Sequence, residues 1–168
     1  MAGKLKQMLL FGSTAIALYV GAQLVVTRGL VSGTPPPIRE ATLDGATFDV
    51  PNRERRPAVI YFWASWCQIC KAMQGSIRSV AQDAPLVSVA LLSGDENEVR
   101  DYVKREGFDV PVILDRDGAI GRDYGIRGVP AVFILGPDGN IRFSTIGYTS
   151  ELGLRVRLWL ADLVGVLD

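Results

Sequence analysis

Cys67 and Cys70 are the only thiols in this chain of 168 residues. A C-x-x-C pair is an arrangement suited to thiol–disulfide exchange, though alone it is a weak signal. The surrounding stretch, Phe62-Trp63-Ala64-Ser65-Trp66-Cys67-Gln68-Ile69-Cys70-Lys71, reads as the end of an apolar strand followed by the opening of a helix. A cysteine at a helix N-terminus meets unpaired N–H groups and the positive end of the macrodipole. Both favour the thiolate, which is the attacking species. A second cysteine three residues on shares the same helical face within bridging range, so it can resolve a mixed disulfide. The simplest role of Lys71 is solvation.

Two thiols at this spacing have other possible uses. Structural zinc takes four ligands, and one C-x-x-C supplies two in a chain with no histidine. Copper(I) is held by two thiolates alone, so a copper(I)-binding module stays open as an alternative. A purely structural disulfide would close too small a loop to stabilise much. Redox exchange fits the pair best, with no metal and no cofactor expected. The missing histidine also removes Ser-His-Asp and Cys-His catalysis and histidine pH switching.

A second element is Gly128-Val129-Pro130-Ala131, where a proline directly precedes an apolar strand. Pro130 is a candidate cis residue, with a strand-starting proline as the plainer reading.

These residues need elements to position them. Ala58–Trp63 is a continuous apolar run, expected as a strand buried on both faces. Ile69, Met73, Ile77, Val80 and Ala81 follow the 3.6 period and predict an apolar helical stripe. Leu86–Leu92 is a second buried strand. Ser93 and Glu96 fit a capping box opening a helix with Val99, Tyr102 and Val103 inward. Val110–Leu114 predicts a short strand, Asp115–Gly118 a turn, and Gly121–Gly125 a short helix. Ala131–Leu135 and Ile141–Thr145 flank Gly136-Pro137-Asp138-Gly139-Asn140, a hairpin signal. Thr149 or Ser150 caps a last helix to about Val164. Upstream, Asp44-Gly45 within residues 41–50 predicts a hairpin, and Arg53-Glu54-Arg55-Arg56 a solvated loop. The order implies an α/β fold, a mixed sheet flanked by helices.

The N-terminal part differs in kind. Met8–Val26 runs nineteen positions without a charge, roughly 29 Å as a helix, close to the hydrocarbon thickness of a bilayer. It is longer than a usual signal-peptide core, and no A-x-A-like site follows. An uncleaved transmembrane anchor is therefore expected over residues 8–26, after a cytoplasmic stretch at 1–7. Lys4 and Lys6 precede the run and Arg28 alone follows, which places the body outside the cytoplasm. Residues 27–37, with Pro35-Pro36-Pro37, read as a stiff spacer, and the folded domain as residues 38–168. Net charge is zero overall, but residues 1–37 carry +3 and the remainder 15 basic and 18 acidic residues. An acidic body argues against a nucleic-acid partner.

W-C-x-x-C at a strand-to-helix junction, with V-P before a hairpin about sixty residues later, resembles the thioredoxin superfamily over roughly residues 38–164. The anchor, the proline spacer and the extra strand–helix unit near 86–106 resemble its membrane-tethered TlpA-like branch. Leu92-Ser93-Gly94-Asp95, together with Phe143-Ser144-Thr145, Gly147-Tyr148-Thr149-Ser150 and Arg157-Leu158-Trp159, is similar to the suppressor-of-copper-sensitivity D (ScsD-type) proteins. The resemblance implies a thioredoxin-like domain and a periplasm-facing thiol–disulfide oxidoreductase in a copper-tolerance setting. It makes Cys67 the attacking and Cys70 the resolving cysteine, and Trp66 the flanking tryptophan. Val129-Pro130 becomes a cis-proline loop whose Val129 backbone pairs with substrate. Gln68-Ile69 would tune the potential. Gly75 falls where many thioredoxins carry a kinking proline, and Tyr61 where small thioredoxins keep a buried Asp; Tyr61 reads as core. The implied partners are protein or peptide disulfides and a membrane electron donor of the thiol–disulfide interchange type, with the inner membrane as location. Reduction of substrates is the preferred direction, oxidation or isomerisation the alternative. A monomer is expected.

Overall fold

The structure, a computed structural model, describes residues 2–48 and 55–167, apart from the side chains of some helix positions. The chain begins with helix α1 (Ala2–Val26). The body then alternates as β1 (Ala58–Trp63), α2 (Gln68–Ala81), β2 (Leu86–Leu91), α3 (Glu96–Glu106), β3 (Val112–Asp115) and α4 (Ala119–Asp123). It ends with β4 (Ala131–Leu135), β5 (Ile141–Ile146) and α5 (Glu151–Leu167).

The strands form one mixed sheet in the order β3-β2-β1-β4-β5. β1, β2 and β3 are parallel neighbours, whereas β4 runs antiparallel to both β1 and β5. The two connections between parallel strands contain helices, as crossovers of this kind demand. β1 is central and buried along its whole length. Its side chains alternate between two cores. Val59, Tyr61 and Trp63 meet α2, α3 and α5 on one face, while Ala58, Ile60 and Phe62 meet Ile120 and Tyr124 on the other. That double burial is why the run reads as uninterrupted apolar sequence.

Several expectations are revised. Cys70, Met73, Ile77 and Val80 form the inward stripe of α2, while Ile69 is 53% exposed. One residue earlier than Cys70 turns the side chain about 100° away from the core. The helix runs unbroken through Gly75. The capping box of α3 belongs to Asp95 and Glu98, not to Ser93 and Glu96: Glu98 N–H donates to Asp95 Oδ1 at 3.0 Å and Asp95 N–H to Glu98 Oε2 at 2.8 Å. α5 opens with Ser150 Oγ accepting from the Gly153 N–H. In place of the expected hairpin at 41–50 there is a turn. Thr42 bridges Ile113 of β3, and Gly45 takes a positive φ of 82°. Asp49 and Val50 of that prediction, and Arg53 and Glu54 of the charged loop, lie outside the described residues.

The expected spacer is tied to the domain. Val31 N–H donates to Tyr124 O, Ile141 N–H to Gly33 O, and Tyr124 hydroxyl to Pro36 O. The expected transmembrane helix is not supported at this level. Residues 8–26 are helical, but the side chains of Leu9, Ala15, Ile16, Tyr19, Val20 and Leu24 lie outside the described set. Among the described residues, no helix is long and apolar enough to cross a membrane.

Candidate active site

β1 ends at Trp63, and the loop Ala64–Trp66 carries the chain to α2. Cys67 is the N-cap of α2, in an extended conformation with φ −89° and ψ 106°. Its Sγ accepts the Cys70 N–H at 3.1 Å, so one of the otherwise unpaired amides of the first turn already points at the sulfur. No acidic residue occupies that turn. A thiolate formed on Cys67 would therefore meet an amide donor and the positive end of the helix together.

The two cysteines are joined as a disulfide, with their Cα atoms 5.2 Å apart. Their environments are unequal. Cys67 keeps 8% exposure at the surface, whereas Cys70 is fully enclosed. Cys70 thus offers no surface to an external partner, whereas Cys67 offers a little.

Across from the pair, the Val129–Pro130 peptide is cis and leads into β4. The Val129 carbonyl oxygen lies 3.7 Å from Cys67 Sγ, a distance at which the reduced thiol would donate to it. Pro130 O in turn accepts the Gly147 N–H at 2.8 Å, which ties the loop to the end of β5. Trp66 and Ile69 stand 63% and 53% exposed beside the disulfide, and Gln68 is exposed with them. The structure thus brings Trp66, Cys67, Gln68, Ile69, Cys70, Val129 and Pro130 to one end of the sheet.

Tyr61 lies beneath the pair, its hydroxyl donating to Cys70 O at 3.3 Å. Burial drives its pKa far up, so at neutral pH it is a fixed donor and a member of the core. Lys71 is not left to solvation alone. Its ammonium is 2.8 Å from Glu106 Oε2, and that hydrogen bond holds the Glu106 carboxyl below the usual carboxylate range.

Sequence reasoning missed the support beneath the active-site loop. Trp66 Nε1 donates to Leu92 O at 3.1 Å, and Ser65 N–H to Ser93 Oγ at 3.0 Å. Leu92 N–H reaches Asp115 O, at the end of β3. The only signal for this tie is the position of residues 92–93, just past a strand parallel to β1.

The Redoxin family matches residues 31–154. The chain is 34% identical over 125 residues to a thioredoxin-like protein of Haemophilus influenzae, covering 73% of this chain and 74% of that one. It is 30% identical over 113 residues to sporulation thiol-disulfide oxidoreductase A of Bacillus subtilis, covering 63% and 68%. Among solved structures, a secreted disulfide oxidoreductase of Mycobacterium tuberculosis aligns with a TM-score of 0.61 at 25% identity, over 72% of this chain and 93% of that one. The chain belongs to the Redoxin family and is a thiol–disulfide oxidoreductase of thioredoxin fold with a Cys67–Cys70 redox pair.

Proposed function

We propose that this protein reduces disulfides in other proteins from the outer face of a bacterial inner membrane. The observation that carries the reading is the asymmetry of the pair: Cys67 caps the helix at the surface, and Cys70 is sealed beneath it. Cys67 thiolate attacks one sulfur of a substrate disulfide and the other leaves as a thiolate. Cys70 Sγ then attacks Cys67 Sγ, its proton passing to the departing substrate sulfur, which forms the Cys67–Cys70 disulfide and releases the second substrate thiol. The backbone of Val129, opposite Cys67, pairs with the substrate chain, Trp66 flanks it, and Gln68-Ile69 tune the potential.

The location is supported by the nineteen uncharged residues Met8–Val26 behind Lys4 and Lys6, and by the secreted Mycobacterium tuberculosis relative. A dithiol kept in an oxidising compartment must be recharged, and a membrane electron donor of the thiol–disulfide interchange type meets that need. The likeness of Leu92-Ser93-Gly94-Asp95 and the C-terminal run to ScsD-type proteins supports a copper-tolerance setting. The equilibrium potential of the Cys67–Cys70 couple tests the direction. A value near thioredoxin's, about −270 mV, supports a reductant; one near about −120 mV makes the protein a dithiol oxidase.

A further inference from the structure

Leu92 adopts φ 46°, in the left-handed region that a branched side chain avoids. The conformation is held from both sides. Leu92 N–H donates to Asp115 O at 2.9 Å, and Leu92 O accepts from Trp66 Nε1 at 3.1 Å. The next residue, Ser93, is buried and bonded to Ser65. Backbone strain that persists because its surroundings over-determine it points to a use for the residue concerned.

The consequence is the placement of the side chain. Leu92 is 51% exposed and leans over Gly118, where a Cβ would lie 3.6 Å from Leu92 Cδ2. Its carbonyl holds the edge of the Trp66 indole, so Leu92 stands beside Trp66, the residue directly preceding Cys67. Trp66 and Ile69 expose apolar surface on either side of Cys67, Leu92 adds exposed apolar surface at the far edge of the Trp66 indole, toward Gly118, and the indole N–H is already satisfied within the chain. A surface of this kind offers a partner contact area but no free hydrogen-bond donor at the indole.

We propose that Leu92 is a specificity-determining residue of the exchange reaction. Its side chain extends the rim of Trp66 and Ile69 and favours disulfides in segments that carry an aliphatic or aromatic residue beside the cysteine. This rests on the exchange reading above.

The test uses two symmetric substrates, each a single-cysteine peptide joined to its own copy by a disulfide. One has Leu after the cysteine and the other Glu. Fully reduced full-length protein is mixed with each, and the second-order rate of Cys67–Cys70 disulfide formation is followed as two peptide thiols are released. Wild-type protein reacts faster with the Leu peptide. Leu92→Gly and Leu92→Asn both tolerate the left-handed backbone, and each lowers that preference about 5- to 10-fold, the worth of a half-buried leucine. A preference within about twofold of wild type in both variants, with stability raised by relief of the backbone, overturns the proposal. So does a wild type that shows no preference. A wild type that exchanges with neither peptide overturns the exchange reading and this inference with it.

Discussion

Ser65 and Ser93 exchange two hydrogen bonds across the carboxyl ends of β1 and β2. Ser65 N–H donates to Ser93 Oγ at 3.0 Å, and Ser65 Oγ donates to Ser93 O at 3.3 Å. Ser93 Oγ also donates to Leu91 O at 3.1 Å. The loop that delivers Cys67 to its helix is thereby fastened to the neighbouring strand, two residues before the reactive sulfur.

Ser93→Ala removes the acceptor of the Ser65 amide in a largely buried place, which costs about 1–3 kcal/mol. The loop before Cys67 should loosen, so alkylation of the reduced protein by iodoacetamide should change rate together with the urea midpoint. Asp95→Ala, which breaks only the α3 cap, should cost about 1 kcal/mol with the alkylation rate unchanged. Equal effects of both variants on alkylation would show that Ser93 acts through the helix.

That contrast also bears on what the sequence makes legible. Ser93-x-x-Glu96 and Asp95-x-x-Glu98 satisfy the same capping pattern. The choice between them depends on where β2 releases the chain: it ends at Leu91, and two of the three residues before Asp95, Leu92 and Gly94, take positive φ values. Nothing in a leucine announces a left-handed backbone. By contrast, β1 and the Cys67 cap are legible because burial on both faces and a strand-to-helix junction each leave a local imprint. The seating of residues 27–37 leaves none, since it uses backbone groups: Val31 N–H, Gly33 O and Pro36 O. Any residue types could supply them. Periodicity places Ile69 inward because an apolar pattern counts the isoleucine and passes over Cys70, the neighbouring residue that faces the core.

Gly125 tests that seating. It has φ 71°, and a Cβ there would come within 2.0 Å of Gly29 O and 3.2 Å of Leu30 Cα. Gly125→Ala must adopt a disfavoured backbone and push residues 29–30 aside, for an expected loss of about 2–4 kcal/mol in urea unfolding. A loss under about 0.5 kcal/mol would mean that the segment after α1 does not rest on the turn after α4.

Glu151 links α5 to α2. Its carboxylate accepts from Ser79 Oγ at 2.7 Å and Arg155 Nε at 2.8 Å, and these bonds hold its pKa below the usual carboxylate range, Ser79 foremost. A group with a lowered folded pKa contributes its stability in full above its unfolded pKa and loses it as pH falls through the folded one. Thermal melts of Glu151→Gln should therefore lie below wild type at pH 7 and converge with it toward pH 3. A gap that stays constant over that range would rule out this ionic link as the cause.

The two cysteines should have separable roles. Cys67 accepts an amide at the positive end of α2 and retains surface exposure, so in the reduced protein its thiol should titrate well below the ~8.5 of a free cysteine. Cys70 is enclosed by apolar side chains, which disfavour its thiolate, and should stay protonated over the same range. Absorbance at 240 nm during a pH titration should show one early thiolate, lost in Cys67→Ser and kept in Cys70→Ser. Lys71→Ala should shift that titration little, because the ammonium is engaged with Glu106. Exchange then divides in two. Cys67→Ser has no exposed nucleophile and should be inert toward disulfide substrates. Cys70→Ser retains the attacking thiolate but cannot release the mixed disulfide, so adducts should accumulate and collapse with dithiothreitol on a non-reducing gel. Expressed in its native cells, that variant should capture its disulfide partners as mixed disulfides. Capture by Cys67→Ser in place of Cys70→Ser would reverse the roles. Capture by neither, with tight copper(I) binding by the reduced protein, would make the pair a metal site.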